Sequence, residues 1–207
     1  MSTTPAAGGT NGGNAGVGSK APAGAPSGAL SGPGKMKLAT VWLDGCSGCH
    51  MSLLDLDEGI LTVAARADLV YSPLVDTVEF PEGVDVVLVE GAVSSLDDAA
   101  KLQVVRARSR VLVALGDCAV TGNVPAMRNR LPVKLIMQRL YVEGADVNPG
   151  VPTSGVPPLL AQARPLHEFV KVDFHLPGCP PEPKAILSVL TDVLNGRAPK
   201  LPAVRFG

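Results

Sequence analysis

DVVLVE, residues 85–90, is the stretch on which the fold turns. Its four apolar residues run unbroken between an aspartate and a glutamate, the pattern of a strand covered on both faces. VLVAL at residues 111–115 repeats the signal. Working outward from these two, strands are expected at residues 37–43 (KLATVWL), 69–72 and 169–174 (FVKVDF). Helices should fill the gaps: residues 49–65, with Leu53, Leu54, Ile60, Leu61 and Ala64 on one face; 94–106, opening SSLDD; 133–141; and 181–194, opening on proline and Glu182 and followed by Asn195 and Gly196. Serine and aspartate suit the unpaired amides of a helix start, proline tolerates them, and Asn-Gly makes a reasonable stop.

Strands alternating with helices imply an α/β architecture. Five strands and four helices in this order describe a flavodoxin-like open parallel sheet with helices on both faces. Between Tyr141 and Phe169 the chain carries five prolines, a connection long enough to suggest contact with a partner.

Composition narrows the function. Of 207 residues, 18 are Lys or Arg and 19 Asp or Glu, which gives no electrostatic reason to expect nucleic acid or an anionic membrane as partner. No apolar run reaches the roughly 18 residues of a membrane span, so direct membrane insertion is not expected. Residues 1–34 hold ten of the 23 glycines and four of the 19 prolines, with Lys20 as their only charged side chain. Such a segment cannot offset the entropy of ordering it, and it has no signal-peptide pattern. The expectation is a disordered tail at residues 1–34, a single flavodoxin-like domain at 35–207 and a cytoplasmic location.

Four cysteines remain to be explained. Cys46 and Cys49 follow the first strand, Cys118 follows VLVAL, and Cys179 follows the last strand. Loops after the carboxyl ends of parallel strands share one edge of the sheet, so thiols separated by gaps of 69 and 61 residues should meet. Each sits among Gly or Pro, in DGCSGC (44–49), GDCA (116–119) and PGCPP (177–181). Gly45, Gly48, Gly116 and Gly178 would let the backbone approach a bulky group and turn N–H donors toward a negative charge. An iron–sulfur cluster, a structural zinc ion, thioredoxin-like thiol chemistry and inert buried cysteines all remain open on these grounds.

The motifs WLDGCSGCHMSLLDLDE (42–58), VEGAVSS (89–95), ALGDCAVTGNVPAMRN (114–129) and LPGCPPEPKAI (176–186) resemble the small subunit of nickel–iron hydrogenases. The resemblance implies that Cys46, Cys49, Cys118 and Cys179 hold one [4Fe–4S] cluster close to a nickel–iron centre carried by a separate large subunit. The related subunit of respiratory complex I has two adjacent cysteines at its first motif, whereas Cys46 and Cys49 are separated by two residues. Periplasmic hydrogenase small subunits carry a twin-arginine leader and further cluster-binding cysteines, neither seen here. Deazaflavin-linked small subunits also generally carry extra clusters. The best resemblance is therefore to the short small subunit of bidirectional NAD(P)-linked hydrogenases, with FMN and NAD(P) bound by partner diaphorase iron–sulfur and flavin subunits. A cluster in the CSGC loop would exclude FMN from this chain's own crevice.

Other residues weigh less. His50 borders Cys49 and reads as a packing or capping residue before a tuning one. His167 and His175 have no companion spacing for a metal. Asp55, Asp57 and Glu58 fall on the polar face of the expected helix and read as solvated. Glu90, ending a buried strand at the loop edge, is the better functional carboxylate.

Overall fold

The computed structural model describes residues 34–200; all of the proposed tail but Gly34, and residues 201–207, lie outside the described residues. Five strands, β1 (Met36–Trp42), β2 (Ala67–Tyr71), β3 (Val84–Glu90), β5 (Ser109–Leu115) and β7 (Phe174–Leu176), form one sheet in the order β2-β1-β3-β5-β7. Every pairing in it is parallel. Taken in chain order alone, these strands run second, first, third, fourth, fifth, which is the flavodoxin-like arrangement with its reversal between β1 and β3.

Alternation along the central strands explains the layers. Val87 and Val89 enter one core with Ala39, Val41, Leu112 and Ala114; there they meet Leu102 and Val105 of α3 (Leu96–Arg108). Val86 and Leu88 enter a second core on the other face, against Ile186, Val189, Leu190 and Val193 of α7 (Pro183–Leu194). Both faces of β3 are thus dry, as its unbroken apolar run requires. Helix α3 starts at a capping box: the Ser95 hydroxyl accepts from the Asp98 amide, and Asp98 accepts in return from the Ser95 amide.

Several expectations need correction. The helix expected at 49–65 is two short ones, α1 (Gly48–Leu54) and α2 (Gly59–Ala64), separated by a turn in which Asp57 has φ 50°. The break changes the helical phase, so Cys49, His50, Ser52, Leu56 and Val63 are buried, while Leu54, Ile60 and Leu61 of the expected face are exposed. Asp55, Asp57 and Glu58 are solvated as expected, but on the turn rather than on a helix face.

The last strand is Phe174–Leu176 rather than 169–174. Side chains of α3 take the carbonyls of the earlier segment: Gln103 donates to the Phe169 oxygen and Arg106 to that of Lys171. Pairing to β5 begins only at Asp173, whose amide donates to the Leu112 oxygen and whose carboxylate accepts from the Leu112 amide.

Residues 133–141 form α6 (Val133–Gln138), continued by a wider π-helical turn (Arg139–Glu143). Inside the proline-rich connection lies a strand, β6 (Leu159–Arg164), paired antiparallel with β4 (Val93–Ser95) beside the main sheet. Helices α4 (Gly116–Thr121) and α5 (Asn123–Ala126) were not anticipated either; each is under two turns, too short for a periodic signal. No helix among the described residues is long and apolar enough to cross a membrane.

Candidate metal centre at the carboxyl edge of the sheet

Trp42 pairs with Glu90, Glu90 with Leu115, and Leu115 with Leu176. Four strands therefore stop on one row, and the cysteines leave from that row. Cys46 lies four residues beyond Trp42, while Cys118 and Cys179 each lie three beyond Leu115 and Leu176. Gaps of tens of residues in sequence close because parallel strands bring like ends together.

Cys46, Cys118 and Cys179 line one cavity of about 250 Å³ together with Asp44, Gly45, Val124 and Pro125. Cys49, on the first turn of α1, is the buried member, and Cys46 and Cys179 are exposed. All four thiols are free. Burial pushes the Cys49 thiol far above its ordinary pKa, with smaller contributions from Glu90 and then from Cys118, Cys46 and Cys179. Burial raises Cys118 as well. Four thiols close enough to disfavour one another's ionisation are stable together as thiolates only around positive charge.

Two of the three cysteine loops are bound to each other, and the first is bound to the segment after β3. Asp117 ties the Cys118 and Cys179 loops: its amide donates to the Gly178 oxygen at 2.9 Å, and its carboxylate accepts from the Gly178 amide at 2.7 Å. Trp42 Nε1 donates to the Gly45 oxygen at 3.3 Å and steadies the first loop. An isolated bridge between Asp44 and Ala92 joins that loop to the segment after β3.

The expected glycines act differently from one another. Gly116 has φ 83°, and a Cβ there would collide with Cys49 Sγ; the site has no room for any side chain at that point. Gly178 has φ 138°, and a Cβ would come within 2.6 Å of Pro181 Cα. Gly48 lies beneath Cys46 Sγ, at 3.3 Å from where its Cβ would stand, and Gly45 packs on Gly91. This closely cradled ring of thiols, with a cavity in front of it, fits an inorganic cluster. Among the described residues, no three His, Cys, Asp or Glu side chains are grouped as a single metal ion would hold them.

Behind Cys49 lies a buried pair. Glu90 Oε2 accepts from the His50 amide at 3.0 Å and contacts His50 Nδ1, and both residues are almost fully buried. His50 Nε2 is buried with no hydrogen-bond partner. His50 is thus the packed residue expected, and Glu90 is the carboxylate that holds it. His167 and His175 are each other's companion, with ring centroids 6.0 Å apart. Sequence reasoning missed Asp117 and Asn123. An aspartate and an asparagine beside Gly-Cys and Gly motifs were visible, but nothing local indicates that one reaches Gly178 and the other Cys179 Sγ.

An α/β protein with a flavodoxin-like sheet and four cysteines gathered at its switch-point edge is the class these observations define. Residues 46–193 match the family described as NADH ubiquinone oxidoreductase, 20 Kd subunit. The chain is 40% identical over 175 residues to the delta subunit of the NAD-reducing hydrogenase HoxS of Cupriavidus necator, covering 82% of this chain and 84% of that one. It is 39% identical over 169 residues to a subunit of the F420-non-reducing hydrogenase vhu of Methanocaldococcus jannaschii, where the match covers 81% of this chain and spans 59% of the relative's length. A crystal structure of an NAD+-reducing [NiFe] hydrogenase in the H2-reduced state contains a chain that superposes with TM-score 0.79 at 39% identity, over 84% of this chain and 99% of that one. The chain belongs to this family, and within it to the hydrogenase small subunits.

Proposed function

We propose that this chain is the electron-transfer small subunit of an NAD(P)-linked nickel–iron hydrogenase and acts in the cytoplasm. The observation that carries the reading is the convergence of Cys46, Cys118 and Cys179 on one cavity at the carboxyl edge of the sheet, with the buried Cys49 packed against Gly116 behind them. Their thiolates would hold one [4Fe–4S] cluster. When bound, it would supply single-electron transfer between the nickel–iron centre of a large subunit and the iron–sulfur and flavin groups of diaphorase subunits, where NAD(P)+ is reduced.

This chain's own residues have three tasks in that reading. Cys49, buried against Gly116, fixes the inner side of the group and excludes water from it. The Asp117–Gly178 bonds hold the loops of Cys118 and Cys179 at one spacing, so little ordering remains when the thiolates bind. Cys46 and Cys179, exposed in this chain, face outward, where a large subunit would cover them. Val124, Met127, Leu131 and Leu135 are also exposed on the segment that follows Cys118, which suits such a partner.

The likeness to an NAD-reducing subunit, in sequence and in structure, supports the NAD(P)-linked assignment. The likeness to the vhu hydrogenase supports a second reading, a small subunit of an F420-non-reducing hydrogenase. Purification with its partners separates the two: hydrogen-driven NAD(P)+ reduction, lost in Cys118→Ser, is the expected result. Metal analysis with low-temperature paramagnetic resonance should find about four irons in a reducible group. One zinc without a signal would overturn the relay.

A further inference from the structure

Gly122 closes α4 with its amide bonded to the Cys118 oxygen at 3.0 Å. It and the following Asn123 both take positive φ, 85° and 28°, a conformation that asparagine tolerates better than most side chains. Asn123 Nδ2 donates to Cys179 Sγ at 3.5 Å. The next residue, Val124, lines the cavity. The Cys179 sulfur is exposed on its other side, so Asn123 is the donor this chain supplies to it among the described side-chain bonds.

We propose that Asn123 is a positioning residue of the four-cysteine site, whose carboxamide N–H donates to the Cys179 sulfur and raises the reduction potential of an iron–sulfur group held there. The inference rests on the reading of the four cysteines as ligands. Reduction places more negative charge on ligand sulfurs, and an N–H donor favours the more negative state. A carboxamide serves this purpose because it donates without bearing charge. Aspartate at the same position would have nearly the same shape, no donor when ionised and an added negative charge beside the thiolates.

The test is a redox titration of the full chain carrying its iron–sulfur group, followed by paramagnetic resonance under anaerobic conditions, for the parent, Asn123→Leu and Asn123→Asp. Both variants should keep the parent's iron content. The midpoint potential should fall in Asn123→Leu and fall further in Asn123→Asp. The reduced Asn123→Leu protein should also lose one deuterium-exchangeable proton coupling in its electron–nuclear double resonance spectrum. Unchanged potentials at full iron content overturn the inference. Loss of iron in both variants overturns it too, because the residue would then hold the site together without tuning it. A parent chain that binds no reducible iron refutes the reading of the cysteines themselves, a result distinct from either of the others.

Discussion

The two walls of the four-thiol site are built in different ways. The inner wall is Cys49, backed by Gly116 and by the His50–Glu90 pair at the end of a buried strand and a helix start. The outer wall is Cys46 and Cys179, exposed on loops, with Val124 and Pro125 of the short helix α5 beside them. Side chains on the inner wall have no freedom to adjust, because the sheet core surrounds them. Those on the outer wall are held by a few hydrogen bonds and lie where a partner would cover them. Under the proposed relay function, the site would have to hold a group rigidly and still pass electrons across a subunit boundary, which needs both kinds of wall.

The contrast is broken most severely at Gly116. Replacing it with alanine drives a methyl group into Cys49 Sγ at a φ of 83°; the backbone strain alone is about 1–2 kcal/mol. Gly116→Ala should lose iron binding and lower Tm by about 5 °C or more. Gly48→Ala, whose methyl would meet only the exposed Cys46 Sγ at 3.3 Å, should keep its iron. Iron analysis and thermal unfolding of the two variants make the comparison.

Glu90→Ala comes next. It strips the buried His50 amide and ring nitrogen of their acceptor, and an unsatisfied buried donor costs about 1–3 kcal/mol. Denaturant unfolding should register that loss, and Glu90→Gln, which keeps one acceptor oxygen, should recover part of it.

A gentler probe is alkylation of the metal-free folded chain, followed by mass spectrometry. Cys46 and Cys179 should react first and Cys49 last, since burial both shields Cys49 and pushes its thiol pKa up. A difference of one pKa unit is about tenfold in thiolate fraction, so a lag of at least that size is expected. Unfolding in denaturant should abolish the order.

The smallest effect lies away from the cavity, at His175. Burial, and then the neighbouring His167, lower its pKa from 6.5. The unfolded chain therefore binds this proton more readily as pH falls below that value, and stability falls with it. His175→Gln should lose less Tm than the parent between neutral pH and about pH 5.

Much of this was legible in advance, and for a physical reason. The unbroken runs at 85–90 and 111–115 became β3 and β5 because a strand covered on both faces needs no polar alternation. The helix expected from Pro181 starts two residues later, with Glu182 at the cap of α7 and Pro183, rather than Pro181, in its first turn. The helix at 49–65 misled because Leu53, Leu54, Ile60, Leu61 and Ala64 have helical spacing, while the turn at Asp57 that shifts their phase has no strong local signal. The strand at 169–174 misled because its apolar residues do pack in the core: Val170 is buried. Its backbone is instead bonded by Gln103 and Arg106 of α3, a choice no period-2 pattern encodes.

The sequence by itself determined the parallel α/β sheet, the positions of the cysteines after strand ends, and the glycines that make room beside them. These follow from patterns of a few residues, which local sterics and burial are enough to read. Only the tertiary structure decided that Trp42, Glu90, Leu115 and Leu176 stop on one row, that Asp117 bonds Gly178, and that Asn123 reaches Cys179. Each of those is a contact between segments tens of residues apart that share no local pattern. Their spacing depends on strand register, and register is set by the packing of both faces of the sheet at once.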